Sequence, residues 1–156
     1  MNSRILVAFD DSENAMRAVN FIAENFKSAG QVTLLSIIPD TAALCEMNSP
    51  ELIPYFKSQQ SSFCHLEDKK RELVEAAMDR AKSVLVGAGF AEDNITITSV
   101  VKKRGIARDI VDHAQSGYDV LVMGRRGVSG VKEFFLGSVS QKVFSLAKDI
   151  SVIIVN

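Results

Sequence analysis

Residues 123–142 read MGRRGVSGVKEFFLGSVSQK, and the rest of the chain is placed around them. The apolar run Val120-Leu121-Val122-Met123 leads in and ends at Gly124. Two residues separate Gly124 from Gly127, nine separate Gly127 from the pair Gly137-Ser138, and a helical pattern starts there. A strand exit, a glycine loop and a helix start therefore follow one another. Glycine admits positive φ and lets a ligand approach backbone N–H groups closely. A helix N-terminus adds orphan N–H donors and the positive end of a dipole. Phosphate is the ligand that suits this construction best. The spacing is neither a Walker loop nor the G-x-G-x-x-G fingerprint, and for the glycines taken alone plain turns are an equal alternative.

The remainder supplies a parallel α/β context. Ile5 to Phe9 is all apolar, as expected of a strand buried on both faces, and ends in Asp10-Asp11-Ser12. Ala15, Ala18, Val19, Ile22, Ala23 and Phe26 recur at helical spacing, and that helix stops near Gly30. Val32 to Ile38 makes a second strand, closed by Pro39. Two strands joined by one helix form a right-handed βαβ unit.

Residues 39–65 show no sustained period; Ser49-Pro50-Glu51 could cap a short helix, which Pro54 then limits. So long a connection is expected to be the most mobile part of the chain, ordered by ligand. Leu66 to Ala88 reads as a helix ended by Gly87 and Gly89, and Ile95 to Val101 as a partly alternating, edge-like strand. Gly105 opens a helix with the stripe Ile106, Ala107, Ile110, Val111 and Ala114. Tyr118 to Met123 is the fourth strand, Ser138 to Ala147 the last helix and Ser151 to Val155 the last strand. Five strands and four helices make an α/β fold with an open parallel sheet, helices on both faces.

One domain accounts for the 156 residues. A net charge of −1 provides no basic field for nucleic acid, and no apolar run approaches the roughly 20 residues of a membrane span. The start of the chain is too brief for a secretory signal, and Cys45 and Cys64 suggest no disulfide framework. A soluble cytoplasmic protein is expected.

The Gly-x2-Gly-x9-Gly-Ser loop after the fourth strand resembles the nucleotide loop of the universal stress protein family. The resemblance runs from Ile5-Leu6-Val7-Ala8-Phe9-Asp10 to Val152-Ile153-Ile154-Val155 and covers residues 39–65 least well. It implies a Rossmann-like sheet of the adenine nucleotide alpha hydrolase-like type, strand order 3-2-1-4-5. That order puts a switch point between the first and fourth strands, where ligands bind at the carboxyl ends. It also implies ATP, with Mg2+ left open, as the ligand. Asp10 would contact the nucleoside, and Ile37 would line the adenine pocket through its backbone. Met123, Gly124, Gly127, Gly137, Ser138, Val139 and Ser140 would form the exit of the fourth strand and the phosphate cradle.

Each residue also has a plainer reading. Asp10 could cap the first helix, and Ile37 could be core. Asp11 departs mildly from the family's small residue; it would hold a metal with phosphates or repel them. Ser138-x-x-Gln141 is a capping box, and Ser138 is expected both to cap and to donate to phosphate. Arg125 and Arg126 read as a solvated pair at a loop tip ahead of phosphate contact, and Lys102-Lys103-Arg104 as a solvated turn. Cys45, Glu46, Cys64 and His65 fit no zinc spacing. His113 is expected at the surface. No catalytic constellation is recognisable, so any ATP hydrolysis should be slow.

The expected function is ATP-dependent regulation of an unnamed protein partner. A slow ATPase or nucleotidyl-transfer enzyme and a nucleotide-free dimeric interaction module are the alternatives. A homodimer through Val152-Val155 is expected, because that apolar strand falls at a sheet edge with no charge or proline to protect it.

Overall fold

The computed structural model describes residues 2–26, 28–47, 54–125 and 136–156. Five parallel strands carry the fold: β1 (Arg4–Ala8), β2 (Gln31–Ile38), β3 (Ile95–Val101), β4 (Val120–Gly124) and β5 (Ser151–Val155). They lie in the order β3-β2-β1-β4-β5, as expected. Ile5 stands between Val32 and Val120 in register, and Ala8 between Leu35 and Met123. The described helices are α1 (Glu13–Asn25), α2 (Ala42–Cys45), α3 (Pro54–Gly87), α4 (Ile106–Ala114) and α5 (Ser138–Leu146).

Alternate side chains of a strand point to opposite faces, so the all-apolar β1 feeds two cores. Ile5 and Val7 pack with α1 and the last turns of α3 on one face. Leu6 packs with α4 and α5 on the other. At the edge, β3 buries Ile95 and leaves most of its other side chains exposed or half-exposed, which is the origin of its partial alternation.

The central segment differs from expectation. Pro54 does not limit a helix but begins α3, where its missing N–H leaves no hydrogen bond unmade. At 34 residues α3 runs about 51 Å. Its buried residues are Ala77, Met78, Ala81 and Leu85, so its first half meets no core and carries no apolar period. α2 buries nothing either. The proposed cap at Ser49-Pro50-Glu51 lies outside the described residues. Cys45 and Cys64, which suggested no disulfide framework, are joined in a disulfide that links α2 to α3. Neither thiol is left for a metal.

Candidate functional site

The carboxyl ends of β1 and β4 open into a cleft of about 630 Å3, within the usual range for small-molecule sites. Asp10, Ile37, Met123, Gly124, Gly137, Ser138, Val139 and Ser140 all line it. The switch point thus brings together the described residues that the resemblance assigns to the nucleotide. Gly127 lies outside the described residues, as does Arg126.

On the β1 side, the ladder continues past the strand: the Phe9 N–H donates to Leu35 O at 2.8 Å. The chain then turns. The Ser12 N–H donates to Asp10 Oδ1 at 2.9 Å, and Ser12 Oγ accepts from the Ala15 N–H at 3.1 Å. Ser12, not an aspartate, is the N-cap of α1. One Asp10 oxygen holds the turn, and its carboxylate stands at the cleft with acceptor capacity remaining. Asp11 is more exposed than Asp10.

On the β4 side, Gly124 is required by space. A Cβ there would stand 2.7 Å from backbone and side-chain atoms of Asn14, so the β4 exit and the first turn of α1 touch. The Arg125 N–H donates to Val155 O at 2.8 Å and extends the pairing with β5. The Arg125 carbonyl accepts from the Gly137 N–H at 2.8 Å and from Ser140 Oγ at 2.7 Å. One carbonyl therefore clasps the two ends of the glycine loop together.

That clasp revises three expectations. The Gly137 amide is engaged by Arg125 and is not a spare donor. Gly137 is the N-cap of α5, with no side-chain cap, so Ser138 is the first helical residue and the capping box does not form. Ser140 is buried, and its hydroxyl also reaches Gly137 O at 3.1 Å, so it pins the loop rather than reaching outward. The N–H groups of Ser138, Val139 and Ser140 have no acceptor within the helix, as at any α-helix start. They sit in the cleft wall with the dipole behind them. The Arg125 guanidinium reaches Asn156 Oδ1 at 3.0 Å, toward the end of β5.

The remaining walls were not legible as site residues. Glu67, Lys70, Arg71 and Val74 come from α3, and Ile106 and Ile110 from α4. Lys70 Nζ pairs with Glu67 at 3.2 Å. The spacing of Glu67, Lys70, Arg71 and Val74 places them on one helix face, but only the packing of α3 aims that face at the cleft. The basic turn after β3 is structural. The N–H groups of Lys103 and Arg104 donate to Asp109 at 2.7 and 3.1 Å, and Arg104 pairs with Asp112 on the surface. The Lys103 bond, more than any other cause, holds the Asp109 carboxyl below its ordinary pKa. His113 is half-buried rather than free at the surface, its ring 5.9 Å from that of Tyr118.

The chain is similar to known proteins over nearly its whole length. The chain is 29% identical over 150 residues to universal stress protein YxiE of Bacillus subtilis, covering 94% of this chain and 95% of that one. It is 28% identical over 153 residues to universal stress protein MJ0577 of Methanocaldococcus jannaschii, covering 92% and 88%. The solved structure of MJ0577 matches with a TM-score of 0.69, covering 99% of this chain and 96% of that one. The fold also matches a universal stress protein in complex with cAMP (TM-score 0.62, 20% identity, covering 99% and 97%). A complex of the Archaeoglobus fulgidus protein with dAMP gives 0.61 and 16%, covering 100% and 98%. The profile of the universal stress protein family matches residues 1–156 without a gap at either end, and the chain belongs to that family.

Proposed function

We propose that the cleft binds an adenine nucleotide, ATP with or without Mg2+, and that occupancy regulates a protein partner. One observation carries this reading: Asp10 and the N–H groups of Ser138, Val139 and Ser140, which have no acceptor within the helix, line the same cleft. A carboxylate accepts from ribose hydroxyls; a helix N-terminus takes phosphate; the apolar surface between, with Ile37, Ile110 and Met123, suits a purine ring. The cAMP and dAMP complexes of structural neighbours support an adenine nucleotide as the ligand class. The resemblance adds Gly127, outside the described residues, to the phosphate cradle, and Asp11 at the mouth would offer an oxygen to a phosphate-bound Mg2+. The protein works in the cytoplasm as a homodimer paired through Val152-Val155.

Mass spectrometry of ligand released from freshly purified protein tests the reading, followed by calorimetric titration with ATP, ADP and AMP. An adenine nucleotide is expected in the released fraction, and ATP is expected to bind. Protein that carries no nucleotide and binds none of the three would overturn the proposal.

A further inference from the structure

The disulfide sits where the cleft is least supported. No residue of α3 before Ala77 is buried, and α2 buries none. Yet Glu67, Lys70 and Arg71, which line the cleft, fall in that uncovered part, ahead of the half-buried Val74, which lines the cleft and packs against the first core. A helix segment with no apolar anchor is held by whatever else ties it down. Here the described ties are the Cys45–Cys64 bond and Gln60, whose side-chain amide donates to Leu44 O and Met47 O. Through α2 these ties lead to Pro39 and Thr41, which also line the cleft. Cys64 is less than one turn from Glu67, so the bond clamps the α3 wall to the β2 exit beside the opening.

We infer that the Cys45–Cys64 pair is a redox-modification site whose state sets how firmly the α3 wall holds a ligand in the cleft. The inference rests on the nucleotide reading of that cleft. Both cysteines are half-exposed and border a shallow depression with Gln60, Ser61, His65 and Asp68, open to a second thiol. The co-reactant is a dithiol. One of its thiolates attacks a cysteine sulfur, the Cys45–Cys64 bond breaks, and a mixed disulfide forms. The second thiol of the reductant then displaces the remaining cysteine. Two electrons pass to the protein, Cys45 and Cys64 each end as a thiol, and the reductant leaves as its own disulfide. The reverse exchange closes the clamp. In a reducing compartment a half-exposed disulfide is transient, which suits a signal and not a permanent brace. Reduction leaves the Gln60 bonds as the described tie between α2 and α3, so the first half of α3 loosens and ligand leaves faster.

The test uses the full chain in three forms: oxidised, reduced with dithiothreitol, and Cys64→Ser. Hydrogen exchange over residues 54–74 is expected to be at least tenfold faster in the reduced and Cys64→Ser forms than in the oxidised form. Exchange over β1 and β4 is expected to stay unchanged. The dissociation rate of a fluorescent ATP analogue is expected to rise at least threefold in the same two forms. Equal exchange over 54–74 in all three forms overturns the inference, and so does an unchanged dissociation rate beside altered exchange. Failure of the thiols to pair under mild oxidation overturns it as well. If the analogue binds none of the three forms, the nucleotide reading fails, and the ligand half of this inference fails with it. The exchange result then still decides whether the pair is the clamp.

Discussion

At the scale of single residues, the cleft is built by side chains and backbone groups with divided duties. Asp10 both closes its turn onto Ser12 and faces the cleft, whereas Asp11 is more exposed. Asp10→Ala is therefore expected to weaken ATP binding about 10- to 100-fold, the range of a lost hydrogen bond to a charged group, and Asp11→Ala by less. Calorimetric titration of both variants checks this; the reverse order would remove Asp10 from the site. Asp109 is a residue of a different kind, holding the turn after β3 through the N–H groups of Lys103 and Arg104. Its carboxyl lies below the ordinary pKa in the folded chain, so the unfolded chain takes up the proton first as pH falls. The stability this contributes is fully present above about pH 4 and is lost as pH falls through the lowered folded value. Urea denaturation from pH 6 downward should show an acid limb that is shallower in Asp109→Asn. An identical limb in the variant would assign the acid loss to other carboxylates.

At the scale of elements, α3 is two helices in one. Its C-terminal half is anchored, with Leu85 fully buried beneath the sheet's first core; its N-terminal half exposes Tyr55, Phe56, Phe63 and Leu66. Leu85→Ala is expected to cost about 2–5 kcal/mol, the range for a buried leucine emptied to a cavity. Leu66→Ala is expected to change stability by no more than about 0.5 kcal/mol. Chemical denaturation of the two variants compares them directly. A large loss at Leu66 would mean that the first half of α3 packs against something in solution. The glycine loop shows the same economy at its ends: Arg125 O holds Gly137 and Ser140 together, so strand β4 and helix α5 stay in register across the loop.

At the scale of the whole molecule, β5 is an edge strand paired only with β4. Its apolar residues Val152 to Val155 are only half-buried in the isolated chain, although both cores reach them. An unprotected apolar edge favours pairing with a second copy, antiparallel about a two-fold axis. The wild type is expected to sediment as a dimer at micromolar concentration, and Ile154→Lys to shift it to monomer. A monomeric wild type, or a dimer indifferent to the lysine, would exclude this edge as the interface.

The sequence by itself determined the elements that bury an apolar face. β1, β2, β4 and the stripes of α1 and α4 were legible because burial on both sides of a sheet writes continuous or 3.6-period apolar runs. The edge position of β3 was legible from its alternation, and Asp10 and the glycine loop from their places at strand ends. The strand order came through resemblance, since local pattern does not specify which strands become neighbours. Tertiary structure alone decided what depends on distance between remote residues. Residues 54–65 have no period because they have no core to face, so nothing local marked them as the start of α3, and nothing marked Glu67 to Val74 as a cleft wall. The pairing of Cys45 with Cys64 depends on α2 and α3 lying side by side, which their sequence separation of 19 does not reveal. Ser138 looked like a cap by spacing, but the clasp between Arg125 and Gly137 starts the helix one residue earlier and leaves its first-turn amides to the cleft.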